Sequence, residues 1–267
     1  MPFRCHILNV SPLVRARLYT TNSVEANLFS IALRGVPMEP KVLVVIPAYN
    51  EADSILDTVQ SVIEKGYDYV VVNDGSCDDT LRICRSHRLN VLDLPINLGI
   101  GGAVQAGHKY AQRFGYDIDI QLDGDGQHDP TYLDSLVDQV LDGSDLVIGS
   151  RFLKTTDGFQ STFMRRVGIT WLSAMLKVCT GKRVTDPTSG FRACGRRAID
   201  LFCDQYPVDY PEPESIAVAI TNGLAVKEVA VEMRERQGGV SSIGGLSSLY
   251  YMVKVSLAIL IAGSTHR

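Results

Sequence analysis

From Lys41 onward the chain repeats one unit: a short apolar, β-branched run, a turn bearing glycine or an acid, then a stretch with helical spacing. No other feature limits the choice of fold as much. Residues 42–46 are apolar throughout, the mark of a strand covered on both faces. Residues 52–65 follow with Ile55, Leu56, Val59, Val62 and Ile63 on one side of a helix. The same reading predicts strands over 69–72, 91–94, 118–122 and 145–148, and helices over 78–86, 102–114 and 130–141. Asp78 or Ser76 is the expected cap of the second helix. Such alternation predicts an α/β fold: a mostly parallel, doubly wound sheet flanked by helices. Ligands of such sheets bind beyond the carboxyl ends of the strands.

After Arg151 the alternation weakens. Residues 164–180 read as an amphipathic helix with a basic start at Arg165 and Arg166, and 185–192 as a polar loop. A helix over 211–222 opens with Glu212 and Glu214, 226–233 alternates as a strand, and 247–262 is a last helix, apolar on most faces. Residues 1–37 show neither a clean period nor recognisable chemistry. Met38 stands directly before Glu-Pro-Lys and the first strong strand. The expected organisation is therefore an N-terminal extension over 1–37, a catalytic domain over 38–236, and a C-terminal amphipathic helix over 237–267.

The bulk numbers remove several classes. A formal charge of −4 argues against a nucleic-acid binder. The six cysteines form no CxxC pair, which disfavours zinc and fits reduced thiols in the cytosol. No apolar run reaches the roughly 20 residues that span a bilayer. The N-terminus carries Arg4, Arg15, Arg17 and Arg34 among apolar residues, without the compact core of a secretory signal.

The chemistry collects at the predicted strand ends. Gln121-Leu-Asp123-Gly-Asp125-Gly-Gln127-His128 follows a buried strand, and its two carboxylates stand one residue apart. They can face one point beyond the sheet and suit a hard divalent cation shared with phosphates. Asp-Gly pairs also make plain turns, but a plain turn needs neither the buried strand before it nor Gln127 and His128 after it. Pro47-Ala48-Tyr49-Asn50-Glu51 ends the first strand; Tyr49 can stack on a base and Glu51 can accept hydrogen bonds from base or ribose. Asp74 can do likewise, beside a capping turn of Ser76, Asp78 and Asp79. Asn97-Leu-Gly99-Ile-Gly101-Gly102 opens a helix and allows an anion close to the backbone. It is neither a Rossmann fingerprint nor a Walker loop. Gly149-Ser150-Arg151, with Arg165 and Arg166, forms a basic group suited to phosphate.

Taken in order, Ile46-Pro-Ala-Tyr-Asn-Glu51, Asn73-Asp-Gly-Ser76, Asn97-Leu-Gly99, Asp123-Gly-Asp-Gly-Gln-His128, Gly149-Ser-Arg151 and Asp186-Pro-Thr-Ser-Gly-Phe-Arg192 resemble family 2 glycosyltransferases. The closest resemblance is to the branch of dolichol-phosphate mannosyltransferase and bacterial polyprenyl-phosphate glycosyltransferases, over roughly residues 41–236. It implies the GT-A fold and inverting transfer from a UDP- or GDP-sugar. It further implies that Pro47, Ala48, Tyr49, Glu51, Asp74, Gly101 and Asp123 hold the nucleotide. Asp123, Asp125 and Gln127 would hold Mg²⁺ or Mn²⁺, and Arg151, Arg166 and Thr170 the acceptor phosphate. Asp125, Asp186 and Arg151 are the expected catalytic residues.

A lipid phosphate acceptor is already an anion and needs no strong base; a sugar hydroxyl would need one, with Asp186 or Asp125 as candidate. A transferase extending a cell-surface polysaccharide and a non-catalytic nucleotide-sugar sensor are the competing readings. Many relatives carry transmembrane helices after the catalytic domain, whereas here one apolar segment follows. That segment is expected either at a membrane interface or closing the core. A peripheral position on the inner face of the membrane, a small integral-membrane partner and a homo-oligomer are the corresponding expectations.

Overall fold

A computed structural model describes residues 39–153, 163–233 and 246–264. The expected extension over 1–37 and the residues joining the catalytic domain to the last helix lie outside that range. Seven strands form one sheet: β1 (Val42–Ala48), β2 (Asp68–Asn73), β3 (Val91–Asp93), β4 (Ile118–Gln121), β5 (Leu146–Ser150), β6 (Arg192–Gly195) and β7 (Val226–Ala230). The helices are α1 (Ile55–Glu64), α2 (Thr80–Ser86), α3 (Gly99–Arg113), α4 (Leu133–Leu141), α5 (Phe163–Thr180), α6 (Arg196–Asp204), α7 (Pro211–Thr221) and α8 (Leu246–Ser264).

The strand order is β3-β2-β1-β4-β6-β5-β7. All neighbours are parallel except those of β6, which runs antiparallel to both β4 and β5. The expected mostly parallel sheet is thus observed, with one strand the sequence reading had left as the end of a loop. Helix α6 was not foreseen either. Pro130–Tyr132 is a 3-10 turn capped by Asp129, so the α-helix expected from 130 starts three residues later.

Strand β1 explains its own composition. Leu43 and Val45 face a layer holding α3, α5, α6, α7 and α8; Val44, Ile46 and Ala48 face α1, α2 and α4. Helix α3 lies so close to the sheet that a Cβ at Gly107 would come within 2.2 Å of Val45 Cγ1. Strand β4 departs from this apolar rule. Ile118 and Ile120 face the α1–α4 layer, while Asp119 and Gln121, both buried, point to the other side. There Asp119 meets His108 of α3 at 2.7 Å. Helix α8 joins the core through Val255 and Ile259, which fits the closing-helix reading for its inner face.

Candidate active site

At the carboxyl rim the first two strand ends are tied together by side chains. Asn50 adopts a left-handed backbone (φ 57°); its N–H donates to Ser76 Oγ at 3.0 Å, and its Oδ1 accepts from Cys77 N at 2.8 Å. Glu51 N–H donates to Thr80 Oγ1 at 2.9 Å, and Ala52 N–H to Asp78 Oδ2 at 3.2 Å. Asp78 also accepts from Thr80 N at 2.9 Å, so it caps α2 as expected, although Asp79 stands at the N-cap position. The cost of the strained Asn50 backbone is offset by these bonds. The result is a braced shelf on which Tyr49 is left 47% exposed. Asp74, expected to face a nucleoside, is buried, and its Oδ1 accepts from Leu98 N at 2.7 Å. It therefore holds the 96–98 turn against the shelf.

The loop after β4 packs against that shelf. Gly124 N–H reaches Pro47 O at 3.3 Å, and Gly124 O accepts from Ser54 Oγ at 2.8 Å and Thr58 Oγ1 at 3.2 Å. A Cβ at Gly124 would lie 3.1 Å from Pro47 O and 3.5 Å from Glu51 Cγ. Pro47, Ala48, Glu51 and the Asp123 loop therefore form one group.

Two residues outside the expected set aim Asp123. Gln121 Nε2 donates to its Oδ1 at 3.0 Å, and Asp123 N–H donates to His128 Nδ1 at 3.0 Å. His128 is stacked on Phe191, ring centroids 4.8 Å apart. Because its Nδ1 accepts, the neutral ring carries its proton on Nε2, 3.7 Å from Asp123 Oδ2. The Asp123 side chain is 36% exposed and is the open carboxylate of the loop. Asp125 is buried, its Oδ1 accepting from Gln127 N at 3.0 Å; Gln127 is half-buried beside it.

The basic side differs from expectation. Arg151 was expected to face the acceptor and Asp186 to serve as catalytic carboxylate. Instead they face each other: Arg151 Nε to Asp186 Oδ2 at 2.7 Å, and a second guanidinium nitrogen to Oδ1 at 2.8 Å. Asp186 has no exposed side-chain surface and Arg151 7%. Thr185 N, Thr185 Oγ1 and Asp186 N all donate to Glu228 of β7, which locks the loop. Both carboxylate oxygens of Asp186 are thus engaged, and it has no open route to an acceptor hydroxyl. The loop nonetheless reaches the rim, since a Cβ at Gly190 would lie 3.1 Å from Asp123 Oδ2.

Arg166 and Thr170 are both exposed one turn apart on α5, with Thr170 Oγ1 donating to Arg166 O at 2.9 Å. Gly101 is buried, and the atoms nearest its missing Cβ are the Pro207 and Val208 carbonyl oxygens, both at 2.3 Å. The close backbone approach it permits is therefore to the chain itself.

Glu212 escaped the sequence reading because a glutamate in a helix's first turn has an ordinary explanation in the helix dipole. Burial pushes its carboxyl up; Arg192 and its own backbone pull it down, and the nearby Asp123 carboxylate adds to the rise. Arg192 is buried and donates to Ser189 O (2.7 Å), Ser215 Oγ (2.7 Å) and Glu212 O (2.8 Å), pinning the 185–191 loop to α7.

Among the described residues, one group of His, Cys and acids is compact enough to share a metal: His108, Asp119 and Cys194, with atoms within 4.8 Å of one another. It lies inside the sheet–helix layer. Asp119 already engages both His108 and the Cys194 thiol, which burial pushes well above its ordinary range. A cavity of about 10 Å³ beside it, lined by His108, Gln121, Arg192, Cys194, Phe202 and Tyr206, has room for about one water. A hard cation prefers oxygen donors, which this group offers only through Asp119; the loop after β4 carries two carboxylates, Asp123 open and Asp125 buried.

Residues 43–202 match the family model described as glycosyl transferase family 2. The polyprenol monophosphomannose synthase of Mycolicibacterium smegmatis is 31% identical over 81% of this chain and 86% of its own length. A UDP-N-acetylglucosamine–dolichyl-phosphate N-acetylglucosaminyltransferase of Methanococcus voltae is 28% identical over 72% of this chain and 84% of its own. In structure, glucosyl-3-phosphoglycerate synthase of Mycobacterium tuberculosis, solved with Mn²⁺, UDP and phosphoglyceric acid, superposes with a TM-score of 0.65. That match is 21% identical and covers 84% of this chain and 79% of that one.

Proposed function

The chain belongs to glycosyl transferase family 2, and from that premise we propose that it transfers one sugar from a nucleoside diphosphate sugar to a polyprenyl or dolichyl phosphate, inverting the anomeric carbon. The observation that carries this reading is the braced rim, where Pro47, Ala48, Glu51, Asp123 and the Gly190 loop meet. Tyr49 offers an exposed ring for a base, Glu51 stands beside it on the shelf, and Asp74 supports the shelf from within through Leu98. Asp123 and Asp125, with Gln127, would hold Mg²⁺ or Mn²⁺; the bound cation neutralises charge on the departing diphosphate. Gln121 and His128 keep Asp123 aimed, so little reorganisation is needed when donor binds.

Two features support a phosphate acceptor over a hydroxyl. The relatives named above are called transferases to polyprenol and dolichyl phosphate. Asp186, the obvious base for a hydroxyl, is buried against Arg151. An acceptor phosphate needs no deprotonation, only cations; Arg166 and Thr170, both exposed on α5, would supply the contact. Arg151, paired with Asp186 and bonded to Thr188, would act by holding the 185–191 loop in place. A lipid acceptor would bring the working enzyme to a membrane, which we place on its inner face.

The test is incubation with labelled nucleotide sugars, Mn²⁺ and polyprenyl phosphate, followed by organic extraction. Label is expected in the organic phase. Asp125→Ala is expected to lower the rate by about 100-fold or more, roughly 3 kcal/mol of lost transition-state stabilisation. Label confined to an aqueous polysaccharide would overturn the lipid acceptor.

A further inference from the structure

His108 and Asp119 form a buried polar pair behind the rim, 4% and 1% exposed. Asp119 stands on β4, whose pleat sends Asp119 and Gln121 to the same side of the sheet. With Nδ1–H given to the Asp119 carboxylate at 2.7 Å, the lone pair of the ring sits on Nε2. That atom is buried and meets no hydrogen-bond partner among the described residues. Leaving a buried acceptor unmet is costly, so Nε2 marks where a further group belongs. The small cavity described above is lined by His108 but not by Asp119, so what the ring shows to it is not its Nδ1 edge.

Two other polar walls of that cavity complete the set. Gln121 Nε2 donates to Asp123 Oδ1 at 3.0 Å, which leaves the Oε1 of the same amide to accept elsewhere. All but one of the Arg192 N–H groups are spent on Ser189 O, Ser215 Oγ, Pro187 O and Glu212 O, so one remains for the cavity it lines. A water there can give one proton to His108 Nε2 and the other to Gln121 Oε1, and accept from Arg192. A buried water usually makes about three such bonds. The amide is hemmed in from the rim as well, since a Cβ at Gly190 would lie 3.0 Å from its Nε2. Turned over, it would set its oxygen against the Asp123 carboxylate. Held at both ends, it keeps its N–H on Asp123.

We propose that His108 is a positioning residue for Asp123: through one buried water it fixes the Gln121 amide, which in turn aims the carboxylate. This rests on the reading in which Asp123 holds Mn²⁺ or Mg²⁺ and deepens it, since it carries the aim back to α3. Asparagine and glutamine separate this role from a structural one, because their amides take the places of Nδ1 and Nε2 respectively. Mn²⁺ binding to the full chain, with UDP and with GDP, is read from the electron spin resonance of the free ion. His108→Asn keeps the bond to Asp119 and should weaken Mn²⁺ binding about tenfold or more. His108→Gln keeps a polar group toward the cavity and should stay near the wild-type value. The opposite ranking would overturn the proposal, because pairing with Asp119 alone would then matter. In a Gln121→Met background His108→Asn should have no further effect, and additive losses would count against the relay. One measurement needs no variant. A crystal structure of the metal-free protein should show an ordered water within hydrogen-bond reach of His108 Nε2 and Gln121 Oε1. A dry cavity there, or a metal ion held by His108, Asp119 and Cys194, would overturn the proposal. The two readings fail separately. The water in place in a protein that binds no Mn²⁺ would sink the metal reading and leave the relay to Asp123 standing. Mn²⁺ binding lost in Asp123→Asn but unchanged in His108→Asn would do the reverse.

Discussion

Asp186 shows how a residue type can be read correctly and its orientation missed. The sequence places a carboxylate and an arginine in the motifs of the acceptor side, and both reach the rim region. Nothing in the spacing of Arg151 and Asp186 says that they pair, because 34 residues and a helix lie between them. The pair is buried and bidentate, so removing one partner leaves an uncompensated charge. Asp186→Asn is expected to cost about 3 kcal/mol and to lower Tm by about 6–12 °C, measured calorimetrically at neutral pH. An unchanged Tm would mean the pair contributes little. Asp123 and Asp125 stand out as candidates in the sequence for the opposite reason: they share one local loop, and that loop directly follows a strand. Gln121 and His128 were visible in the same motif, but as neighbours. That they hold Asp123 depends on the pleat of β4 and on Phe191, 68 residues further on.

Among the elements, those with a long apolar period were legible, and β6 and α6 were not. Arg192-Ala-Cys-Gly is too short to show alternation and is covered on both sides by β4 and β5. It therefore reads as the tail of the preceding polar loop. Helix α6 begins with two arginines and carries its apolar residues on one narrow face, which stayed hidden once its strand was missed. Helix α3 offers a case where local and tertiary preferences oppose each other. Alanine at Gly107 should gain about 1 kcal/mol of helix propensity, but its methyl would fall 2.2 Å from the stiff, buried Val45. Overpacking of that kind costs about 1–3 kcal/mol, so Gly107→Ala is expected to be net destabilising in urea unfolding. Val45→Ala should recover part of the loss in the double variant, a coupling the four-protein cycle measures. Additive losses would show that α3 shifts away instead.

At the scale of the molecule, the gathering of the motifs at the carboxyl ends of the strands follows from sheet topology rather than from any single residue. The two halves differ in how local they are. The shelf proposed for the donor is built from 47–53, 74–80 and 121–128 and is braced within itself, so it should bind a nucleotide without the acceptor. UDP or GDP with Mn²⁺ is expected to raise Tm in a concentration-dependent way, by about 2.7 kcal/mol of added stability at one hundred times Kd. Asp123→Asn should remove the Mn²⁺-dependent part of that rise. Equal stabilisation with and without metal would show that the carboxylates play no part in it.

The reversed strand has one more effect, on the order of events at the ribosome. Ile118 of β4 pairs with Gly195 of β6, so the hydrogen-bonding edge of β4 stays open until that distant segment has emerged. Until then the nascent protein carries a bare strand margin, apolar on one face only, of the kind that recruits wrong neighbours. The short segment that covers β4 is therefore also the one that protects this margin of the growing chain from aggregation.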